Sequence, residues 1–479
     1  MRKLPFLLLS LVAALVITAA GAWWYSGRLP GPSIEIARPQ RFVGITTPLE
    51  IVVEAPGGEL TSLEVRFEQN DVRTSLFSLA DAASAGALGD DAAPGDGGAQ
   101  ASREEEGRLR LRREVGRDSV EGIRSGPARI VVTASRPVLF GLRQIDAELA
   151  HDVEVRLERP RLTVLSTHHY VNQGGSEAVV YRVTPEDVAS GVVVGDVEYP
   201  GFPASGAVAE GVRIADPGAR VAFFALRHDQ PLDTPIRLWA RDEAGNSARA
   251  DFDHRVFPKP AKRSRIELDD PFLERVVPAI LEGTTDVQPQ GSTLERFLVI
   301  NGELRRKNNA AIAALAGKTA HQMLWRGEVF HPFTNTAVQS AFADHRTYHY
   351  QGREVDQQVH LGFDLASYTG TPIVAAARGT VLFADELGIY GNCVVLDHGM
   401  GVQSLYAHLS SIEVAPGDTV DKDRPIGRSG MTGLAGGDHL HFTMLVAGQM
   451  VNPIEWWDPH WIEDRILRKL RAVSTGSAS

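Results

Sequence analysis

Four residues near the C-terminal end of the chain have side chains of the types that bind a metal ion. His360 and Asp364 are separated by three residues, and His439 and His441 by a single leucine. A catalytic zinc ion takes three protein ligands, keeps one position open for water and works beside a base. These four residues would supply three ligands and leave one imidazole over. The sequence therefore predicts a zinc-dependent hydrolytic site, provided that the four side chains converge.

The spacing within each pair indicates which element carries it. Alternate side chains of a strand lie on the same face, and the run that begins at His439 alternates as a strand does, so His439 and His441 are expected to point the same way. The spacing of His360 and Asp364 would also suit one face of a helix. Gly362 and the β-rich surroundings favour a bent strand or the entrance to a loop instead.

Further motifs surround these residues in a fixed order between about Gly327 and Pro453, roughly a quarter of the chain. This segment resembles the lysostaphin-type (LytM-like) zinc endopeptidases, which cut peptidoglycan peptides. The resemblance is carried by the motifs His360-Leu-Gly-Phe-Asp-Leu-Ala366, Gly370-Thr-Pro372, Ala376-Ala-Arg-Gly-Thr-Val381, Tyr390-Gly-Asn392, Asp397-His-Gly-Met-Gly401, Tyr406-Ala-His-Leu-Ser410, Pro416-Gly417, Gly430-Met-Thr-Gly433 and Asp438-His-Leu-His-Phe442.

The resemblance implies a role for each of five residues. His360, Asp364 and His441 match the three zinc ligands of the family. His439 matches its general base, which would relay a proton from water to the leaving amine. His408 matches a second histidine that assists near the metal, where it would hydrogen-bond the oxyanion.

The chain departs from the usual family pattern at two places. Residues 434–438 read Leu-Ala-Gly-Gly-Asp where the family usually has Ser-Thr-Gly, and Thr443 stands where an acidic residue is usual. Neither change removes a predicted ligand or the base. We therefore expect activity to be retained and the fit of the substrate near residues 434–438 to differ.

The N-terminus is predicted to be a membrane-targeting segment, residues 1–27. Arg2 and Lys3 precede an apolar run of about the length that spans a bilayer, and aromatic residues follow at its outer end. This pattern favours a single-pass inner-membrane anchor with the bulk of the chain in the periplasm. The alternative is a cleaved signal peptide, since Ala20-Gly-Ala22 resembles a cleavage site, and the chain would then be soluble in the periplasm.

Between the anchor and the peptidase-like segment, the sequence predicts two β units and a helical segment. Short β-rich runs separated by Pro and Gly resemble immunoglobulin-like (Ig-like) sandwiches over residues 33–158 and 161–257. The first unit contains a stretch, residues 82–107, whose composition predicts a disordered insert. Residues 266–325 are predicted to be helical, and this segment is a candidate for covering the zinc cleft. A peptidase domain over 327–458 and a helical tail over 459–479 complete the prediction.

The predicted fold class is thus a mainly β multidomain protein. It comprises an N-terminal transmembrane helix, two Ig-like β-sandwich units, a helical segment and a C-terminal antiparallel-β peptidase domain of lysostaphin type. The net charge of −11 argues against a nucleic-acid-binding protein, and the single cysteine, Cys393, excludes an intramolecular disulfide framework.

The predicted function is zinc-dependent hydrolysis of the peptide crosslinks of bacterial peptidoglycan, with Zn2+ as cofactor. The expected partners are peptidoglycan peptide stems, the inner membrane through the N-terminal helix, and envelope proteins through the Ig-like units. The alternative is a non-catalytic envelope scaffold or activator of other wall hydrolases, as some proteins of this fold are. The sequence leaves the cleaved bond open between D-alanyl–diaminopimelate crosslinks and glycine bridges.

Overall fold

The structure, a computed structural model, describes residues 4–84, 99–105 and 107–474. It consists of two compact units, which are Met1–Pro160 with Arg241–Ser247, and Arg161–Ala240 with Ala248–Ser479. Strands form most of the described elements, so the prediction of a mainly β chain is confirmed. The Ig-like character of the two β units stays a prediction.

The first unit begins with helix α1, Leu4–Ser26. Among the described residues, this is the helix that is long and apolar enough to cross a bilayer, over Leu9–Ser26. Its length and composition fit a membrane anchor and a signal sequence equally well. Its last turn carries Trp23, Trp24 and Tyr25, all of them exposed.

Two sheets follow α1 and share one apolar core. Alternation along the strands builds this core: Leu63, Val65 and Phe67 of one strand are buried while the residues between them are not. One sheet has the strand order β1-β3-β7-β6 and the other β2-β9-β8-β4-β5. The elements are β1 Ser33–Arg38, β2 Phe42–Val43, β3 Thr47–Glu54, β4 Ser62–Gln69, β5 Val72–Ser78, α2 Leu79–Ser84, β6 Gln100–Glu105, β7 Arg108–Val115, β8 Gly126–Val138 and β9 Arg143–Val155.

The prediction of a disordered insert over residues 82–107 is wrong at both of its ends. Helix α2 continues to Ser84, and β6 pairs antiparallel with β7. The pairing buries Ala101 and brings Glu104 to Arg110 at 2.5 Å, so cross-strand contacts compensate for the polar composition of this stretch. Residues 85–98 and 106 of the predicted insert lie outside the described residues.

The second unit opens with two four-stranded sheets, ordered β10-β12-β16-β15 and β14-β13-β17-β18, and with a parallel pair of β11 and β19. The central strands β12 and β16 are buried at consecutive positions along most of their length, so both faces of each strand are covered. The strands are β10 Arg161–Val164, β11 His169–Asn172, β12 Ser176–Thr184, β13 Ala189–Val194, β14 Val197–Pro200, β15 Phe202–Pro203, β16 Ala219–Ala225, β17 Ile236–Arg241, β18 Ser247–Asp251 and β19 His254–Phe257.

The region predicted as helical over residues 266–325 begins with a strand and ends without a helix. Strand β20, Arg263–Leu268, pairs in parallel with β22, Asp344–Tyr350, and its alternating exposure shows why Ile266 and Leu268 extend rather than coil. Three helices follow, namely α3 Asp270–Glu282, α4 Thr293–Val299 and α5 Arg305–Ala314, with a π-helical turn over Ile300–Leu304 between α4 and α5. A 3-10 turn over Leu315–Lys318 closes the region, and residues 319–325 are not helical.

An eight-stranded antiparallel sheet dominates the rest of the second unit, with the order β21-β24-β32-β28-β27-β26-β30 and β33 paired to β32. Two three-stranded sheets flank it, β20-β22-β23 and β25-β31-β29. The strands are β21 Ala337–Ser340, β23 Arg353–His360, β24 Phe363–Ala366, β25 Pro372–Val374, β26 Gly379–Glu386, β27 Asn392–Gly399, β28 Val402–Leu409, β29 Ser411–Ile412, β30 Thr419–Val420, β31 Pro425–Arg428, β32 Leu440–Val446 and β33 Gln449–Val451, and the tail contains α6 Pro459–Ile462 and α7 Arg468–Val473.

Two apolar cores lie among the described residues of the second unit. The larger includes Val179 and Phe224 of the first sheets, Tyr406 of the eight-stranded sheet, and Trp456 and Ile466 near the C-terminus, and the smaller packs the helices α3 to α5 against the eight-stranded sheet. Residues 161–257, 327–458 and the tail were predicted as separate domains, and those boundaries stay predictions. The shared core means that these segments support one another.

Candidate metal centre

Three neighbouring strands bring the predicted site residues together. In the antiparallel pairing of β24 with β32, Asp364 lies opposite His441, and on the other side of β32 the residue opposite His441 is Ala407. His408 is the next residue on β28, and its φ of 63° breaks the regular alternation of the strand, so its ring lies with its centroid 5.7 Å from that of His441. His439 stands just before β32, in an isolated bridge with Gly430.

His360 completes the group from the end of β23. Gly362 in the following bend has no side chain, and a Cβ atom there would lie 2.4 Å from Oγ1 of Thr443 and 2.5 Å from the ring of His441. Position 362 therefore requires glycine, because a larger residue would collide with Thr443 and His441 where the chain bends beside the site. The predicted bent strand at His360 and Asp364 is what the structure contains.

Three ligand atoms meet at one point. Nε2 of His360 lies 2.9 Å from Oδ1 of Asp364 and 3.0 Å from Nδ1 of His441, and that Nδ1 lies 3.0 Å from the same Oδ1. All three residues are buried. Donor atoms around a tetrahedral zinc ion are about 3.4 Å apart, given zinc–ligand distances of about 2.0–2.2 Å. The separations are thus close to those of a zinc site.

Hydrogen bonds on the far side of each imidazole fix which nitrogen carries its hydrogen. Nδ1 of His360 donates to the carbonyl of Ala341 at 3.1 Å, which leaves a lone pair on Nε2. Oγ1 of Thr443 donates to the carbonyl of Leu361, so it accepts from Nε2 of His441 at 3.3 Å. A lone pair therefore remains on Nδ1 of His441. Partners of this kind are what orient metal-binding histidines.

The resulting arrangement fits a cation. Two imidazole lone pairs and a carboxylate oxygen face one another at hydrogen-bond distance, and none of the three brings a hydrogen to the contact. Buried acceptors in this state repel one another unless a positive charge lies between them. His360, Asp364 and His441 also form a group whose ligand atoms lie within 4.8 Å of one another. Imidazole and carboxylate ligands in a set of three suit catalytic zinc.

Two further histidines face this group. Nδ1 of His439 donates to the carbonyl of Gly437 at 2.8 Å, and its Nε2 lies 3.4 Å from Oδ1 of Asp364. Nδ1 of His408 donates to the carbonyl of Thr432 at 2.8 Å. The ring centroids of His408 and His439 are 4.9 Å apart. Each ring is therefore held through Nδ1 and keeps Nε2 available for a proton.

Burial and charge act differently on these side chains. Burial alone would raise the pKa of the Asp364 carboxyl. When the facing imidazoles are protonated, the charge of His360 and hydrogen bonds from His360, His439 and His441 bring that pKa well below its usual range. Burial lowers the pKa of His441 to about 4, and burial together with His439 lowers that of His408 well below its usual value. For His439, burial is outweighed by the bond to Asp364, so its pKa is raised. His439 thus holds a proton better than His408 or His441 does.

The sequence profile of peptidase family M23 matches residues 358–453, the segment that carries seven of the eight strands of the sheet and all five residues. The C-terminal part of this chain is an M23 peptidase domain. The resemblance to lysostaphin-type peptidases that the motifs indicate is confirmed at the level of the family.

Curated relatives align over part of the chain. Over 97 residues, the chain is 43% identical to the DD-carboxypeptidase/endopeptidase Mpg of Neisseria meningitidis serogroup B, which covers 20% of this chain and 22% of the relative. Over 153 residues, it is 37% identical to an uncharacterized metalloprotease of Haemophilus influenzae, which covers 31% and 32%. Over 111 residues, it is 36% identical to the murein hydrolase activator EnvC of Escherichia coli, which covers 23% and 26%. The chain thus spans between 22% and 32% of the length of these relatives.

Arg346 contacts the metal centre from outside the segment that the M23 profile matches. Its Nη2 donates to Oδ2 of Asp364 at 2.8 Å, so the two oxygens of that carboxylate have different partners. Burial alone would lower the pKa of Arg346, but the charge of Asp364 raises it overall. Behind Arg346 lies Asp344, 3.7 Å from Nε and held by the hydroxyls of Ser264 and Ser340.

Arg346 and Asp344 were not among the residues predicted for the site. Both lie on β22, on the same face as the buried Tyr348. The signal that would have found them is the alternation Asp344-x-Arg346-x-Tyr348, in which charged residues occupy the buried face of a strand. His345 and His349 alternate with them on β22, and neither is in the group of ligand atoms.

A cleft with a cavity of about 520 Å³ lies over the metal centre. The M23 domain supplies one wall, including Leu434 and Gly437 of the segment where the chain departs from the family pattern. Further lining residues come from β20 and β22 and from the helices, which contribute Phe272 and Asn309. The predicted helical segment thus lines the cleft, and its effect on access stays a prediction.

Proposed function

We propose that the chain is a zinc-dependent endopeptidase that hydrolyses peptide crosslinks of bacterial peptidoglycan. The observation that carries the proposal is the convergence of three lone-pair donors, from His360, Asp364 and His441, with a separately held imidazole, His439, beside them. Such a set would hold a zinc ion and place a base next to its open position. A bound zinc ion would supply an acidic water and polarise the carbonyl of the scissile bond.

His439 is assigned the proton transfer. Its Nδ1 is committed to the carbonyl of Gly437, so Nε2 accepts the proton that water loses as its oxygen attacks the carbonyl carbon. The same proton then passes to the nitrogen of the breaking C–N bond, which leaves as the amine. General acid–base catalysis of this kind contributes a factor of about 100 to 10,000 in rate.

His408 is assigned an assisting role that depends on its protonation. With Nδ1 donating to the carbonyl of Thr432, the neutral ring can only accept a hydrogen bond at Nε2, which suits the attacking water. Donation to an oxyanion, the role that the family resemblance implies, requires a second proton on the ring. We infer that the neutral His408 accepts a hydrogen bond from the water and positions it for the attack.

The substrate and location follow from the relatives and from α1. Mpg of Neisseria meningitidis is named a DD-carboxypeptidase/endopeptidase, which favours crosslinks between D-amino acids over glycine bridges as the substrate of this chain. The apolar run Leu9–Ser26 ends in exposed aromatic residues, and Arg2 and Lys3 precede it in the sequence, which favours a single-pass inner-membrane anchor with the rest of the chain in the periplasm.

Digestion of purified peptidoglycan by the purified chain tests this function. Chain loaded with zinc should release crosslinked peptides as monomers, and mass spectrometry of the products identifies the bond from its new amino terminus. A chelator should stop the reaction, and His441→Ala should lose both bound zinc and hydrolysis. His460→Ala, whose side chain is 92% exposed, is the matched control. Unchanged hydrolysis by His441→Ala would disprove the proposal.

A second function, activation of other wall hydrolases, is favoured by the similarity to EnvC. It predicts that the chain has no hydrolytic activity of its own and that a partner hydrolase works faster in its presence. His439→Ala distinguishes the two functions. An activator would keep its effect in cells after this substitution, whereas an endopeptidase would leave the wall with uncut crosslinks.

A further inference from the structure

The turn between β8 and β9 in the first unit exposes two large apolar side chains. Phe140 is 103% exposed and Leu142 is 73% exposed, at the tip of a hairpin whose strands are each 13 residues long. A turn of four residues in a soluble hairpin is usually built from Gly, Asn, Asp or Pro instead. These side chains gain nothing from the core of their own unit.

The backbone of this turn is also strained. Leu139 has φ of 52° and Phe140 has φ of 56°, in the left-handed region that apolar residues with a Cβ atom rarely adopt. Only Gly141, with φ of 86°, is suited to it. Strained backbone angles persist only where other contacts stabilise them, and exposed apolar side chains mark surfaces that bind a partner. A segment that combines both features is typical of a binding surface.

The turn lies against the outer end of α1, and two arginines at its base hold it there. Nη1 of Arg143 donates to the carbonyl of Trp23 at 2.8 Å, and its guanidinium lies 5.2 Å from the centre of the Trp23 ring. Arg136 donates through Nε to the carbonyl of Pro30 at 2.8 Å. Gly27 permits this approach, because a Cβ atom there would lie 2.5 Å from the Arg143 side chain.

This end of α1 is where a membrane surface would be. The 23 residues of α1 extend about 35 Å, slightly more than the hydrocarbon core of a bilayer. Trp23, Trp24 and Tyr25 close the helix, as aromatic residues do at the interface. Arg28, over the ring of Trp24 at 3.3 Å, adds a positive charge that suits phosphate head groups. Phe140 and Leu142 therefore lie at the level of the head groups.

We propose that the Leu139–Leu142 turn is a membrane-docking surface that inserts Phe140 and Leu142 into the periplasmic leaflet of the membrane that α1 crosses. The inference rests on the proposed membrane anchor. The partner that we propose for this turn is a lipid surface, because the turn is continuous with the exposed aromatic end of α1. The first unit would then be held to the membrane at two points, the helix and the turn, so that it stands at a fixed orientation instead of swinging on a tether.

The chain is well suited to a test with a single fluorescent label, because its one native cysteine, Cys393, is fully buried. Full-length Leu142→Cys is labelled with an environment-sensitive fluorophore and reconstituted into vesicles of phosphatidylethanolamine and phosphatidylglycerol. Spin-labelled lipids then quench label that lies within the bilayer. The matched control is Val72→Cys, which is 61% exposed next to the β4–β5 turn, at the opposite end of the same sheet.

The label at position 142 should be quenched at least about threefold more than the label at position 72, and most strongly by lipids with a shallow spin label. Adding Phe140→Ser to the Leu142→Cys chain should reduce that quenching. Leu15→Cys, within α1, reports the anchor itself and should respond to lipids labelled deep in the bilayer.

Each other outcome overturns the proposal at an identifiable step. If position 15 is quenched and position 142 matches position 72, the anchor stands, the turn does not enter lipid and it is left for a protein partner. If position 15 is not quenched, the anchor fails and the inference fails with it. Hydrolysis of peptidoglycan in detergent should be equal in all labelled chains, so a loss of the enzymatic function would be seen separately.

Discussion

Two buried clusters of charged residues in the second unit differ in one respect. In one cluster every hydrogen-bond acceptor has a hydrogen-bond donor from the protein, and in the other it does not. The metal centre contains His360, Asp364 and His441. The other, here called the tail cluster, consists of Glu177, Glu455, Lys469, Asn172 and Ser176. Both are buried and both contain carboxylates. Burial and charge therefore do not tell a functional site from a structural one.

In the tail cluster, donors from the protein reach every carboxylate. Glu177 receives Nζ of Lys469 at 2.7 Å and the backbone N–H groups of Tyr170 and Ala178 at 2.8 Å. Glu455 receives the side-chain amide of Asn172 at 2.8 Å and the backbone N–H of Ser176 at 2.7 Å. Burial raises the pKa of Glu455 to about 7 even though these donors lower it, so they compensate for only part of the cost of burying this carboxyl.

In the metal centre, acceptors face acceptors. Oδ1 of Asp364 has two imidazole lone pairs within 3.0 Å, and the one strong donor, Arg346, binds the other oxygen. The tail cluster is complete without a ligand, and the metal centre is not. The comparison predicts that substitutions in the metal centre change zinc binding or rate, whereas substitutions in the tail cluster change the free energy of unfolding.

The largest expected effect is that of His439→Ala on the rate. The imidazole that transfers the proton is lost while the three ligands remain, so kcat should fall by about 100- to 10,000-fold. Bound zinc, measured by atomic absorption after gel filtration, should stay at the wild-type ratio. His441→Ala should lose the zinc as well. A zinc-free His439→Ala protein would show that His439 is a ligand and that the assigned roles are wrong.

Lys469→Met should have its effect on stability instead. It leaves the Glu177 carboxylate buried without its cationic partner, and removing one member of a buried ion pair costs about 3–5 kcal/mol of unfolding free energy. Urea denaturation of the purified chain measures this loss. Zinc affinity of the folded protein should not change.

The double variant Glu177→Gln with Lys469→Met separates the ion pair from packing. The neutral glutamine leaves no buried charge without a partner, although its NH2 group replaces one of the two oxygens that accept from the backbone N–H groups of Tyr170 and Ala178. Part of the lost stability should therefore return. If the double variant is as unstable as Lys469→Met, the loss comes from the apolar part of the lysine side chain and the tail cluster is not an electrostatic one.

His398 extends the comparison to a buried histidine whose two nitrogens are both satisfied. Nδ1 donates to the carbonyl of Arg378 at 2.8 Å, and Nε2 accepts from the hydroxyl of Ser404 at 2.7 Å. Burial lowers the pKa of His398 to about 4. The unfolded chain binds a proton near pH 6.5, so this residue's contribution to stability is complete above that pH and is lost as the pH falls through about 4.

The loss attributable to His398 amounts to about 3 kcal/mol over that range. Urea denaturation at several pH values should show it, and His398→Gln should have a flatter pH dependence between pH 6.5 and 4. His460→Gln, at an exposed position, should follow the wild type. Parallel curves for His398→Gln and the wild type would mean that other groups cause the acid sensitivity.

Local pattern was enough to predict the site's central strand. Alternation around His439 and His441 predicted that the two side chains share a face, and the order of the motifs predicted the M23 domain. Both predictions use signals that can be read along the sequence without knowing which strands pair. The extended form of β20 was not predicted. It depends on pairing with β22, whose residues lie about 80 positions further along the chain. Propensity around Ile266 gives no information about a partner so distant.

The same distance explains why the surroundings of the site escaped prediction. Arg346 is recognised only once β22 is known to lie beside Asp364, and Asp344 only once Ser264 is known to reach it. The shared core of the second unit also joins segments far apart in sequence. Sequence motifs identify the atoms that would touch the metal, whereas long-range pairing decides what holds those atoms in place.

Arg346→Met tests whether this outer contact belongs with the metal centre or with the structural clusters. Without the guanidinium, Oδ2 of Asp364 would be free to turn toward a bound zinc ion. Hydrogen-bond partners that orient a metal ligand typically account for a factor of about 10 to 100 in metal affinity. We expect zinc affinity, measured by competition with a chromogenic chelator, to fall by about that factor. In the cobalt-substituted protein, the visible spectrum should also shift toward that of a higher coordination number.

Arg353→Met, exposed on the neighbouring strand β23, is the control and should bind zinc as the wild type does. Arg346→Lys keeps the charge but loses the planar fork, so it should fall between the two. If Arg346→Met lowers the free energy of unfolding of the metal-free protein and leaves zinc affinity unchanged, Arg346 has a structural role, as the tail cluster does. If affinity falls at constant stability, a residue outside the M23 match is part of what makes the centre bind metal.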